Sequence, residues 1–194
     1  EGSSLSSIPD SAAPWKPFHR LALQYAEGNP DRLDIRNTGV VFLGRCPDPD
    51  GVAQGILQSL LLDSEEPLPL RQSALEALQR INASALPTVL AESWTDLPAS
   101  VRTNAFSFLA GRAERIGPLL DRIESGSVDR KLVSVGQAES LRDHKDASTR
   151  ERATKLFPPP EKGVPRATVV ERYQAALKLK GDSERGKAAF IKGT

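Results

Sequence analysis

The chain has 194 residues, 39% of them hydrophobic and 26% charged, which suits one elongated domain or one domain plus a smaller piece. Its 26 Lys and Arg against 25 Asp and Glu leave a net charge of +1, which gives no overall electrostatic footprint for nucleic acid or an anionic membrane. The longest apolar stretch, Ile56–Asp63, is far too short to cross a bilayer, and the first residues, Glu1-Gly2-Ser3-Ser4, have neither the basic nor the apolar region of a signal peptide.

In chain order, the first helix signal carries Trp15, Phe18 and His19 on one element, with His19 expected as a half-buried partner of the two aromatic residues. A Pro-Asp-rich turn, Pro47-Asp48-Pro49-Asp50-Gly51, follows. Its two carboxylates before a glycine suggest calcium, but an EF-hand loop needs a glutamate at its twelfth position, where Ser59 or Leu60 falls. Leu70, Ala74, Ala77, Leu78 and Ile81 then mark an apolar helix face. Leu86, Val89, Leu90 and Trp94 mark the next, Val101, Ala105, Phe108 and Leu109 another, and Ile116, Leu119, Leu120 and Ile123 a fourth. Pro67, Pro69, Pro87, Pro98 and Pro118 are read as lying near helix starts, where a missing N–H is harmless, and Asp96 as an N-cap. Strand patterns are absent: β-branched residues never alternate over a useful length.

Four segments align on an arginine. They begin at Ile35-Arg36, Leu70-Arg71, Val101-Arg102 and Thr149-Arg150. Three residues after each arginine stands a small residue (Gly39, Ala74, Ala105, Ala153), and seven after it a large apolar one (Leu43, Leu78, Leu109, Phe157). The small residue lets a neighbouring helix approach closely, and the large one fills the space between helices. A helix pair of this size cannot bury its own apolar face, so pairs must stack. The arginines are 35, 31 and 48 residues apart, so the last interval holds an extra segment. The expected fold is therefore all-α, a HEAT-like α-α superhelix: a right-handed solenoid of antiparallel helix pairs spanning residues 1–157. A Pro-rich linker (158–163) and C-terminal helices (164–194) follow, one of them over Arg166–Leu177.

The pattern of an aliphatic residue and arginine, then Ala and Leu at the following turns, opened by Asp or Pro, resembles the first helix of HEAT repeats. The stretch Pro67–Phe157 further resembles the helical segment of large secreted multidomain proteins of planctomycetes and their relatives, described as membrane-bound dehydrogenase-like or haem-binding proteins. In that family a β-propeller precedes the helices and a c-type cytochrome domain follows. The run Gly181-Asp182-Ser183-Glu184-Arg185-Gly186-Lys187-Ala188-Ala189-Phe190 is similar to the helix that leads into the haem-attaching Cys-x-x-Cys-His of such cytochromes. The chain stops at Thr194, before any such motif, and contains no methionine, so it reads as a piece of something longer. The resemblance implies a periplasmic or cell-surface location and covalent haem c beyond Thr194.

The residues themselves point to no catalytic, cofactor-binding or metal-binding site. Gly181, Gly186 and Lys187 have the spacing of a phosphate-binding loop, but a helix over Gln174–Lys180 is expected where a strand is required, and Ala188 replaces the Mg²⁺-holding Ser or Thr. Cys46 stands alone, which excludes an internal disulfide and covalent haem within this chain. His19 and His144 are too few for a triad or a metal pair, and His144 is expected to be solvated. Glu65-Glu66 and Asp143 with Asp146 are expected on solvated faces, Trp15 and Trp94 as packing anchors, and the sequon Asn82-Ala83-Ser84 as chance. Mild basic clusters at Arg142–Arg152 and Lys178–Lys192 are interleaved with acids, which argues against nucleic acid. The expected function is a non-catalytic, monomeric scaffold that positions a propeller relative to a cytochrome electron acceptor. Its partners would be neighbouring domains of the same chain or another protein, and no membrane insertion is expected. The alternative is a peptide-binding solenoid with no redox context.

Overall fold

The structure is a computed structural model that describes residues 15–48, 50–159, 170, 171, 173, 174 and 181–192. The described residues are all-α. The chain divides into two compact units, Glu1–Pro158 and Pro159–Thr194. In the first unit the helices are α1 (Lys16–Ala26), α2 (Leu33–Leu43), α3 (Val52–Leu62), α4 (Leu68–Arg80), α5 (Leu86–Glu92), α6 (Ala99–Leu109) and α7 (Ala113–Glu124). A 3₁₀ turn (Arg130–Leu132), α8 (Val135–Arg142) and α9 (Ala147–Leu156) complete it. In the second unit α10 (Ser183–Lys192) is described, and Val170, Glu171, Tyr173 and Gln174 are helical. The remainder of the helix expected over Arg166–Leu177, most of the linker beyond Pro159 and all of 175–180 lie outside the described residues.

Contacts in the first unit follow the arginine register. Helix α1 packs on α2, α3 on α4, and α2, α4 and α6 touch in succession. On the other side α1 meets α3, and α5 meets α7. The fourth register helix, α9, packs on α7 and α8, so the 3₁₀ turn and α8 are the extra segment of the 48-residue interval. One continuous core runs through these helices, from Ala22 and Ala26 to Ala153 and Phe157. Every small and large register residue belongs to it or is buried beside it: Gly39, Ala74, Ala105 and Ala153, then Leu43, Leu78, Leu109 and Phe157.

Helix ends show which local signals operate. Pro17, Pro69 and Pro87 each occupy the second position of a helix, where no intrahelical bond is lost. Pro118 does not follow the expectation: it is the sixth residue of α7 and removes the bond to the Glu114 carbonyl. Asp96 is not an N-cap, because Pro98 holds that position before α6. The side-chain caps lie elsewhere. Ser134 and Gln137 form a reciprocal capping box at α8. The Asp146 carboxylate accepts from the Thr149 N–H at α9 (2.8 Å), and this bond holds it below the ordinary aspartate value of 3.8. That cap is therefore in place at neutral pH and is lost only as the pH falls below 3.8. Helix α4 ends with Asn82 at a φ of 53°, while the Ala83 N–H reaches the Leu78 carbonyl and the Asn82 N–H the Gln79 carbonyl. This is a Schellman closure, and asparagine is among the few residues that tolerate it.

Close helix approach is most demanding at Gly39. A Cβ there would stand 2.6 Å from the Ala22 carbonyl oxygen and 2.8 Å from the Ala26 nitrogen, both backbone atoms of α1. At Gly55, within α3, a Cβ would meet nothing. Gly39→Ala is expected to destabilise the chain by about 2 kcal/mol through forced separation of α1 and α2. Gly55→Ala is expected to stabilise it by about 0.5–1 kcal/mol through lower unfolded-chain entropy. Urea denaturation midpoints of the two variants check both signs.

Candidate functional site

The polar chemistry of the first unit is concentrated on the register arginines. Each is the fourth residue of its helix: Arg36 in α2, Arg71 in α4, Arg102 in α6 and Arg150 in α9. Each donates to a backbone carbonyl that precedes the helix. Arg36 Nε bonds the Ala26 carbonyl at 3.0 Å, and Arg71 Nε bonds the Leu61 carbonyl at 2.9 Å. Both acceptors lie in the last turn of the preceding helix, where carbonyls lack intrahelical partners. Arg102 bonds the Leu97 carbonyl, and Arg150 the His144 and Lys145 carbonyls at 2.7 and 2.8 Å, in the connecting turns. Arg36 and Arg71 are buried, whereas Arg102 and Arg150 are half-buried. Arg36 also forms a two-pronged ion pair with Glu66 in the α3–α4 loop, with Nη1 2.7 Å from Oε2. The pair holds the Arg36 guanidinium charged more firmly than usual. Glu66 is thus no solvated carboxylate, contrary to the sequence expectation.

The other sequence candidates are also engaged structurally. Trp15 and His19 meet edge to face at a centroid distance of 5.7 Å, while Phe18 points to solvent. His19 and the Pro47–Gly51 turn come together around a shallow hollow of about 250 Å³, which Trp15, Leu23, Asp48, Asp50 and Val52 also line. Both Asp48 oxygens are taken by the Ala53 and Gln54 N–H groups (3.1 and 2.8 Å), so this carboxylate caps α3. Pro49 lies outside the described residues. His144 is not solvated as expected but bridges two helices: its Nδ1 accepts from the Asp146 N–H at 3.0 Å, and its Nε2 lies 3.1 Å from the Ala110 carbonyl at the end of α6. Since Nδ1 accepts, Nε2 carries the proton and donates.

The arginines of the run Arg142–Arg152 are engaged internally. Arg142 donates to the Phe157 carbonyl, and Arg152 binds Glu124 and Asp121 of α7. Gly186 and Lys187 lie inside α10, whose start is capped by Asp182 through the Glu184 and Arg185 N–H groups, so they cannot cradle a phosphate. Of the run Lys178–Lys192, residues 178–180 lie outside the described residues. Trp94 is fully buried, as an anchor should be, although its Nε1 has no hydrogen-bond partner among the described residues. In α6, Phe108 packs half-buried against the core as expected, with the Arg115 guanidinium 4.2 Å from its ring centroid, and Phe106, which the pattern did not mark, is buried as well. No group of His, Cys, Asp and Glu among the described residues is arranged to hold a metal ion. No described helix is long and apolar enough to cross a membrane.

The signal that sequence reading missed is the role of the register arginine. Its position was legible, but its acceptor was not, since the carbonyl lies ten residues upstream in copies one and two and only five or six upstream in the others. No protein-family model, curated protein or solved structure matches the chain.

Two measurements follow. Arg36→Met retains the apolar stem but leaves Glu66 and the Ala26 carbonyl without a donor, and is expected to cost about 3 kcal/mol. Arg71→Met strips only the Leu61 carbonyl and is expected to cost about 2 kcal/mol, both read from urea midpoints. Burial pushes the Cys46 thiol from 9.0 up to about 11. The thiol form therefore stabilises the fold below pH 9, and this contribution is lost as pH rises toward 11. At pH 8.5, iodoacetamide should label Cys46 in the native chain at least about tenfold more slowly than in urea, because a far smaller fraction of the thiol is ionised.

Proposed function

We propose that this chain is a HEAT-like α-α superhelix, a right-handed solenoid of antiparallel helix pairs. It acts as a non-catalytic scaffold in a larger secreted, dehydrogenase-like protein and fixes a catalytic propeller domain relative to a c-type cytochrome electron acceptor. The observation that carries the solenoid reading is the fourfold recurrence of arginine at the fourth residue of a helix, each time bonded to a carbonyl that precedes it. Stacked pairs of this kind give an extended, rigid body with neighbour-only contacts, which is the mechanical property a spacer needs.

The redox context draws support from the tail. Asp182 caps α10 immediately before Glu184-Arg185-Gly186, the arrangement that the entry-helix resemblance calls for. The polar groups that could have served catalysis, namely Glu66, Asp48, His144 and Arg150, are each engaged in an ion pair, a helix cap or a bond to a connecting turn. In this reading haem and substrate chemistry belong to neighbouring domains, outside the cytoplasm where covalent haem is attached.

The natural reading frame after Thr194 tests the redox part. A Cys-x-x-Cys-His motif within the next few codons is the expected outcome, and its absence removes the cytochrome from the proposal. The purified chain is expected to be colourless, highly helical and inactive toward alcohols and sugars with dye acceptors. Turnover of any of them sinks the scaffold reading.

A further inference from the structure

Five residues of α9, Ala147, Arg150, Glu151, Thr154 and Lys155, line a hollow of about 510 Å³, and Arg142 at the end of α8 completes its wall. Their spacing of three and four residues puts the five on one helix face. The lining carries three cations against the single Glu151 carboxylate, which is taken by Lys155 at 2.8 Å. The two arginines therefore set the charge of the hollow. Both are half-buried, and both are anchored to carbonyls through Nη1: Arg142 to Phe157 at 3.1 Å, Arg150 to His144 and Lys145. The Nε–Nη2 edge of each guanidinium, the fork that grips two oxygens of an oxyanion, has no hydrogen-bond acceptor among the described residues. The nearby acids do not fill these edges. Glu139 Oε1 stands 3.9 Å from Arg142 Nη2, beyond hydrogen-bond length, and Asp146 Oδ1 is held by the N–H and hydroxyl of Thr149.

We propose that this hollow binds a small soluble molecule through a dianionic phosphate group clasped by Arg142 and Arg150. Charge and donor count favour phosphate over a lone carboxylate. Two forks offer four N–H groups and two positive charges, of which a carboxylate, with two oxygens and one charge, fills half. Because backbone carbonyls already hold both guanidiniums, little side-chain freedom is lost when the anion arrives. Partial burial also weakens the screening of the attraction by salt. The volume lies within the range of small-molecule pockets, about 300–1,000 Å³, so the body that bears the phosphate fits beside it. The site goes beyond the scaffold reading and needs only α8, α9 and the turns beside them.

The probe is inorganic phosphate, titrated into the full ¹⁵N-labelled chain at about pH 7.5, where it is mostly dianionic, with sodium chloride adjusted to keep the ionic strength constant. The expected result is saturable movement of the Arg142 and Arg150 Nε–H signals and of the Ala147 and Thr154 amides, half-complete below about 10 mM. Two substitutions at exposed positions of the wall, Thr154→Glu and Ala147→Glu, each place a carboxylate in the hollow without touching an arginine anchor. Each should weaken phosphate binding at least about tenfold while the urea midpoint stays close to that of the parent. Glycerol 2-phosphate is expected to bind at least as tightly as inorganic phosphate. Absence of saturable movement overturns the proposal, as does binding that both substitutions leave intact. An equal response to acetate at the same ionic strength makes one carboxylate sufficient and overturns the phosphate assignment. Binding to vesicles that carry phosphatidic acid, abolished by the substitutions and unaccompanied by any response to the soluble phosphates, points to a lipid surface and overturns it too.

Discussion

A helix that ends inside a protein leaves carbonyls with no intrahelical partner, and burying one unpaired costs about 1–3 kcal/mol. In this chain the following register helix supplies the missing donor. Arg36 and Arg71 each reach back ten residues from the fourth position of their helix to the last turn of the helix before. The guanidinium suits the task because it keeps its charge when buried and presents several donors in a fixed plane. Each bond also sets the angle and offset at which two consecutive helices can pack. The buried faces of α1 with α2, and of α3 with α4, depend on that setting.

Once the arginine is placed, the rest of the register follows from helix geometry. The residue three positions later lies one turn up on the packed side and must be small, as the clash of any Cβ at Gly39 with the Ala22 carbonyl shows. The residue seven positions later lies another turn up and fills the core, as Leu43, Leu78, Leu109 and Phe157 do. The fourth copy departs from this scheme because α8 is inserted before it. There His144 takes over part of the joining, holding the end of α6 through the Ala110 carbonyl and the start of α9 through the Asp146 N–H. Arg152 then ties α9 to the acidic last turn of α7.

The same economy explains why candidate chemical groups turn out to be structural. Asp48 looks like half of a cation loop, but its carboxylate neutralises the N–H groups that open α3. Glu66 stands beside Glu65 in sequence, yet only Glu66 is drawn inward, by Arg36 from thirty residues away. The Gly181–Lys187 spacing imitates a phosphate loop, but local capping by Asp182 makes the stretch a helix start. In each case the residue type was informative about chemistry, while its employment depended on which backbone donors or acceptors lay nearby.

All-α character, the four arginine copies, the buried faces of α4 and α7 and the packing roles of Trp15 and Trp94 were legible in the residues, because helical periodicity and side-chain size act locally. Helix ends were less legible. Pro118 inside α7 and the idle Asp96 show that proline and aspartate mark punctuation without fixing on which side of it a helix begins. Only the tertiary structure decided which carbonyl each arginine serves and that His144 is a joint. The reason is physical. Periodicity is a property of one helix read by itself, whereas a partner is chosen by the angle between two helices, and that angle exists only once both are packed.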